Sequence, residues 1–228
     1  MKVSIIMSVF NDEKSVGKSI ESILNQTYDN FELIIVEDAS TDNSKEIIEN
    51  YRNSDERIKL FSNNKNIGLT KSLNIALSYS KGEIIARQDS DDISLKTRLK
   101  KQVDVLSTNK YSFSTTRAIN SVTNKLMPRF TYYLPQRLVM KYKNPFIHGT
   151  LMIKKKVLLK VGGYDERFYY SQDYKLYSDL LKQKYNYHFI KEPLYVLNLQ
   201  NNISSNKRKE QKYYFDCVKK DKIPKFVI

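Results

Sequence analysis

Phe31-Glu32-Leu33-Ile34-Ile35-Val36 is an apolar run broken by one charge, and it stops at Glu37-Asp38-Ala39-Ser40. A short continuous run rich in β-branched residues and bounded by polar ones reads as a strand buried on both faces. Upstream, Val16, Ile20, Ile23 and Leu24 fall at helical spacing, and before them Val3-Ser4-Ile5-Ile6-Met7-Ser8-Val9 reads as another buried strand. Downstream, Asp42 is placed to cap a helix whose apolar face is Ile47, Ile48 and Tyr51. Ile58-Lys59-Leu60-Phe61 reads as a third strand, and the turn-rich loop Asn63 to Gly68 leads to a helix carrying Leu69, Leu73, Ala76 and Leu77. Ile84 to Gln88 reads as a fourth strand. This β-α-β-α-β-α-β order predicts an α/β fold with a mostly parallel central sheet flanked by helices.

In such a sheet, ligands bind beyond the carboxyl ends of the strands. The polar residues expected there are Ser8, Asn11 and Asp12, then Glu37, Asp38 and Ser40, then Asp89, Ser90 and Asp91. The last group lies in Ala86-Arg87-Gln88-Asp89-Ser90-Asp91-Asp92, which precedes a helical pattern over about 95–107. Three carboxylates within four residues repel one another unless a cation sits among them. A hard divalent ion, Mn²⁺ or Mg²⁺, binds through one or two carboxylates together with substrate phosphates. The stretch therefore reads either as a metal–diphosphate site or as a solvated acidic turn ahead of a helix.

Other nucleotide motifs are absent. The glycines, Gly17, Gly68, Gly82, Gly149, Gly162 and Gly163, form neither GxGxxG nor GxxxxGK[ST], and the acidic turn lacks an EF-hand glycine.

The formal charge of +14 is uneven. Residues 1–110 carry 16 Lys and Arg against 17 Asp and Glu, while residues 111–228 carry 23 against 8. That excess fits a phosphate-bearing partner such as an anionic membrane face or phosphorylated substrate; it also fits a solvated basic surface. No apolar run approaches the roughly 20 residues of a membrane span. The opening residues lack the features of a signal peptide, and the lone Cys217 has no internal disulfide partner; a reducing cytoplasm is the expected compartment.

Beyond the helix at 95–107 the alternation weakens. Residues 111–146 hold polar, Tyr-rich pieces with Pro128, Pro135 and Pro145 and give no regular pattern. Phe146 to Ile153 reads as a strand, Lys154 to Val161 as a helix stopped by Gly162-Gly163, Gln172 to Lys184 as a helix, and Tyr195 to Leu199 as a strand. Asp173, in the first turn of its helix, reads by itself as an acid favoured by the helix dipole, with a general base as the other role. His148 reads as a packed strand residue, since no second His or Cys is spaced to join it on a metal. The tail, with Lys207-Arg208-Lys209, Tyr213-Tyr214-Phe215 and Lys219-Lys220, suits either a membrane interface or packing on the domain's own surface.

Five strings in order make the chain similar to the family 2 glycosyltransferases, which have the GT-A fold. They are Val3 to Asn11, Ser19 to Tyr28, Phe31 to Asp42, Ala86 to Asp92, and His148-Gly149-Thr150 through Gly162-Gly163-Tyr164-Asp165-Glu166-Arg167-Phe168 to Gln172-Asp173-Tyr174. The resemblance covers 1–107 and 146–182. It implies one GT-A domain: a nucleotide-sugar-binding part at 1–110 and a smaller acceptor-binding part with the basic tail at 111–228. It implies that Ser8, Asp38 and Asn66 line the nucleoside pocket, that Asp89 faces the ribose or metal, that Asp91 ligates Mn²⁺ or Mg²⁺, and that Asp173 is the catalytic base of an inverting transfer. The implied donor is a UDP-sugar. The implied acceptor is a growing surface glycan such as lipopolysaccharide or capsule; the basic second half would fit an acceptor carried on a phosphorylated lipid at the inner membrane face.

The chain departs from the family pattern at Glu37, where Asp is common, at Leu73, where Arg is common and Lys71 is the nearest cation, and at Gln172. Two other classes stay in view. A sugar-phosphate nucleotidyltransferase would carry a glycine-rich basic loop, which Ser8 to Ser15 lacks. A non-catalytic basic protein would bind nucleic acid or anionic membrane; the ordered acids of the first half argue against nucleic acid.

Overall fold

A computed structural model of the chain describes residues 1–199 and 207–225. The strands are β1 (Val3–Val9), β2 (Phe31–Glu37), β3 (Ile58–Ser62), β4 (Ile84–Arg87), β5 (Ile93–Ser94), β6 (Phe113–Asn120), β7 (Leu126–Met127), β8 (Met152–Lys154) and β9 (Tyr187–Leu197). The helices are α1 (Val16–Leu24), α2 (Ser44–Ser54), α3 (Leu69–Tyr79), α4 (Arg98–Ser107), α5 (Gln136–Val139), α6 (Lys155–Lys160), α7 (Gln172–Lys182) and α8 (Arg208–Lys219). One sheet runs in the order β3-β2-β1-β4-β8-β6-β9-β5, with β7 on β6. The first four strands are parallel; β8 then pairs antiparallel with both β4 and β6, and β6 and β9 are parallel.

The two-residue period of β1 and β2 supplies both cores. Ile6, Ile34 and Val36 face one way, onto residues of α3, α7 and α8. Val3, Ile5, Met7, Val9, Leu33 and Ile35 face the other, onto α1, α2 and α4. Burial on both sides is why ten of the fourteen residues of these two strands are apolar. Among the described residues, no helix is long and apolar enough to cross a membrane.

The second half differs from its reading in three places. Residues 111–146, which give no pattern, contain β6: Phe113-Ser114-Thr115-Thr116 is fully buried although three of its four side chains carry hydroxyls. Two of the three hydroxyls have partners: Gln102 Nε2 donates to the Ser114 hydroxyl at 3.1 Å, and the Thr116 hydroxyl donates to the carbonyl of Arg117 at 2.8 Å, while Thr115 Oγ1 takes none among the described residues. The strand expected over Phe146 to Ile153 is instead a 3₁₀ turn at His148–Thr150 followed by the short β8. The chain folds tightly there: a Cβ on Gly149 would stand 2.3 Å from the Tyr195 hydroxyl oxygen and 2.8 Å from an Asp89 carboxylate oxygen. The strand expected from Tyr195 begins at Tyr187, and Pro193 is accommodated where the β6–β9 register shifts.

The tail packs on the domain. Tyr214, Cys217 and Val218 are buried in the α3/α7 core, and Phe215 stacks on Tyr174 with centroids 4.2 Å apart.

Candidate active site

The acidic turn is held from inside by one amide. Gln88 is fully buried at the end of β4. Its Nε2 donates to Ser19 Oγ at 3.0 Å and to the carbonyls of Asp89 (3.1 Å) and Asp92 (2.9 Å). Its Oε1 accepts from Ser94 Oγ at 2.7 Å and Arg98 Nη1 at 3.0 Å. Arg98, buried in the first turn of α4, also donates to the carbonyl of Arg87 at 2.7 Å; burial pulls its pKa down to about 10, still cationic at neutral pH.

This clasp sorts the three carboxylates. Asp92 points inward, accepts the Asn198 amide at 2.6 Å, and is pushed well up by burial and by the charges of Asp89 and Asp91. Asp89 pairs with the buried Arg87 guanidinium and keeps 27% of its side chain exposed. Among the described residues, no side chain hydrogen-bonds the Asp91 carboxylate; burial, then Asp89, then Asp12, push its pKa up to about 6. Asp12, just past β1, sits beside Ser90 and Ser15 and has a buried Oδ2 that takes no hydrogen bond among the described residues. Pairing of Ile6 with Arg87 and of Val9 with Glu37 brings the carboxyl ends of β4, β1 and β2 to one edge.

The other expected residues lie as follows. Ser8 is half-buried near the end of β1. Asp38 is buried and committed: Oδ1 accepts from Asn63 Nδ2 (2.7 Å) and the Ile67 amide (2.9 Å), and Oδ2 from the Gly68 amide (2.8 Å). It therefore holds the loop that carries the exposed Asn66. Leu73 is buried in the core and Lys71 is exposed.

Asp173 enters from α7. Asn144 Nδ2 donates to its Oδ2 at 2.7 Å. His148 and Tyr164, whose Nε2 and hydroxyl lie 3.1 Å apart, are both within electrostatic reach of Asp89 and of Asp173. Burial, reinforced by Arg87, pushes His148 down and keeps it neutral. His148 sits in the 3₁₀ turn rather than in a strand.

Residues 4–162 match the model of glycosyl transferase family 2. The chain belongs to that family. Over 166 residues it is 39% identical to the putative glycosyltransferase EpsE of Bacillus subtilis, covering 72% of this chain and 60% of EpsE. It is 36% identical to the O-antigen biosynthesis glycosyltransferase WbnJ of Escherichia coli, covering 95% of this chain and 85% of WbnJ. With WfgD of the same organism, named as a UDP-Glc:alpha-D-GlcNAc-diphosphoundecaprenol beta-1,3-glucosyltransferase, it shares 35% identity at the same coverage. Among solved structures, S. aureus TarS 1–349 in complex with UDP-GlcNAc superposes with a TM-score of 0.76 at 22% identity, over 89% of this chain and 60% of that one. Mannosyltransferase PcManGT from Pyrobaculum calidifontis, in complex with GDP-Man and Mn²⁺, gives 0.74 at 19% identity, over 93% and 61%. The fold is thus the expected GT-A fold.

In this family 2 chain, several residues of the site carry no sequence signal of a ligand-binding kind. Gln88, Arg98 and Asn144 act on other side chains, so their roles need the fold. The pair Arg98 and Gln102 does leave a trace: both lie four apart on the face of α4 that also buries Leu99 and Val103.

Proposed function

We propose that the chain is an inverting glycosyltransferase that moves a sugar from a UDP-sugar to a hydroxyl of a lipid-linked surface glycan, lipopolysaccharide or capsule, at the cytoplasmic membrane face. What supports this most is the presence of two acids of different kinds: Asp91 at the strand ends, whose carboxylate no side chain hydrogen-bonds among the described residues, and Asp173, oriented by Asn144, with His148 and Tyr164 within electrostatic reach of both Asp173 and Asp89. The 1–110 part then binds the nucleotide sugar and the 111–228 part the acceptor.

A divalent ion fits the donor set. Asp12 Oδ2, which takes no hydrogen bond among the described residues, and Asp91, raised by burial and by Asp89 and Asp12, make a carboxylate set whose mutual repulsion a divalent ion would offset. Among the described residues no three His, Cys, Asp or Glu converge into a protein-only cage, so phosphate oxygens would complete the shell. Asp91 would hold Mn²⁺ or Mg²⁺, with Asp89 at the ribose or metal; when bound, the ion neutralises charge on the departing diphosphate. Ser8 and the loop that Asp38 holds, with Asn66, form the nucleoside side. Asp173 takes the proton of the acceptor hydroxyl as that oxygen attacks the anomeric carbon from the face opposite the leaving group. Neutral His148 keeps a second positive charge from competing for that carboxylate.

The test is a thermal-shift panel of UDP, GDP, CMP and UDP-sugars with and without Mn²⁺, since a ligand that binds only the folded state raises its stability. UDP with Mn²⁺ is expected to raise the Tm of wild type and of Asp173→Asn but not of Asp91→Ala. Transfer by Asp173→Asn should fall by about 10²–10⁴-fold. A wild type indifferent to every nucleotide overturns the reading.

A further inference from the structure

We propose that the segment from Arg129 to Lys143 is a docking surface for an anionic phospholipid bilayer; its purpose, though not its geometry, rests on the lipid-linked acceptor argued above. Tyr142, Phe130 and Tyr133 are the most exposed large apolar side chains among the described residues, at 80%, 78% and 75%, and Leu134 and Leu138 are exposed beside them. A groove of about 200 Å³ opens between Leu134, Leu138 and Tyr142.

This display is built rather than loose. Gln136, buried, donates from Nε2 to the carbonyls of Thr131 (3.1 Å), Tyr132 (3.1 Å) and Leu134 (3.0 Å). Val139 and Met140 point inward, and the Tyr174 hydroxyl donates to the Met140 carbonyl. Tyr132 is wedged edge-on against Phe189 at 5.0 Å and under the Arg117 guanidinium at 5.2 Å. The backbone that carries the outer aromatic and leucine side chains is therefore held in place by partners beneath it.

Charge selects the occupant. No Asp or Glu occurs from residue 105 to residue 164, while that span holds 11 Lys and Arg. Arg129, Arg137, Lys141 and Lys143 are all exposed among the apolar side chains, and among the described residues none of the four takes part in an ion pair. Amphipathic aromatics at the headgroup level, mixed with Lys and Arg that meet anionic lipid, are what a bilayer interface rewards. A protein interface instead excludes charge from its centre and has Lys depleted. The surface ends at Asn144, the residue that holds Asp173. Docked there, the chain would hold its base side toward hydroxyls carried at the membrane.

The chain has no tryptophan, so Tyr142→Trp installs a single reporter. With vesicles of phosphatidylcholine and phosphatidylglycerol, its emission should shift to the blue and be quenched by brominated acyl chains; with phosphatidylcholine alone the shift should be much smaller. In flotation assays, the combined variant Phe130→Ser, Tyr133→Ser, Leu138→Ser should bind the anionic vesicles on the order of tenfold more weakly than wild type. Lys155→Gln with Lys156→Gln, on α6, should bind as wild type does. An unchanged emission with anionic vesicles, or a blue shift that needs no vesicles and grows with protein concentration, overturns the proposal; the latter assigns the face to a second copy of the chain. The stabilisation by UDP and Mn²⁺ is read separately. Its loss with membrane insertion intact rejects the donor reading alone, and its retention without insertion rejects the docking surface alone.

Discussion

Asp91 and Asp92 are neighbours of the same type with opposite environments, and the difference is measurable. Asp92 is turned inward onto the Asn198 amide, whereas Asp91 has no side-chain hydrogen bond among the described residues and a pKa raised to about 6 by burial and by Asp89. A carboxyl whose folded pKa exceeds its unfolded value favours the fold when protonated. Its stabilising share is complete below about pH 4 and is lost as pH rises through about 6. The metal-free protein should therefore lose at most about 3 kcal/mol across that window on account of Asp91, less whatever water screens. Urea unfolding of wild type and Asp91→Asn at pH 4.5 and 7, taken as about two points within and above the window, checks this. The difference between the two proteins should grow toward neutral pH in favour of Asp91→Asn, and identical pH slopes would contradict it. Sequence identified this turn as acidic and left its meaning open, because local spacing says nothing about which carboxylate the fold desolvates. Asp38 is similar: the strand end was legible, but the three donors that take its oxygens come from residues 63 to 68.

At the scale of elements, the acidic turn is a loop whose shape is stored in Gln88. Five hydrogen bonds join it to Ser19, Asp89, Asp92, Ser94 and Arg98. Gln88→Ala would remove the acceptor that Arg98 Nη1 and the Ser94 hydroxyl share, leaving those two bonded to each other, together with the donor to the Asp89 and Asp92 carbonyls, and should cost about 3 kcal/mol in urea unfolding. Ser19→Ala, which removes only outlying bonds, should cost about 1 kcal/mol. The stabilisation by UDP and Mn²⁺ should weaken in Gln88→Ala, although Gln88 itself is too buried to meet a ligand. Equal costs for the two variants would show that the turn holds its shape by other means. Elements whose burial is signalled by apolar residues, β1 to β4 and α1 to α4, were legible to within a few residues. β6 was not, because it buries Ser114, Thr115 and Thr116, and the groups that meet it, Gln102 at the Ser114 hydroxyl and Thr150 at the Thr116 amide, are separated from it along the chain.

For the whole molecule, α8 braces the corner from which Asp173 projects. Ser171, in the left-handed region at φ 56°, donates from its hydroxyl to the Gln211 carbonyl at 3.2 Å. Tyr214 is buried edge-on against Phe168 and Tyr170, at 6.2 and 5.7 Å. Tyr214→Ala should thus lower global stability by about 3–5 kcal/mol, with one cooperative transition retained. A variant that only frays its end, with an unchanged unfolding midpoint, would show α8 to be an appendage. Of the two readings of the aromatic tail, packing on the domain's own surface holds for Tyr214 and Phe215. The exposed aromatic and basic surface lies instead at 129–143, in the stretch where sequence patterning was weakest.

Local patterning along the chain is enough to specify the α/β alternation, the parallel first half and the row of polar residues at the strand ends. Each of those follows from side-chain transfer free energy at a fixed period, which is a local property. Long-range packing is what makes β8 return antiparallel beside β4, leaves no room for a side chain on Gly149 under Tyr195, clasps the acidic turn with Gln88, and sets Asn144 on Asp173. Those features depend on which distant groups meet, and a buried polar group takes its meaning from its partner rather than from its neighbours in the chain.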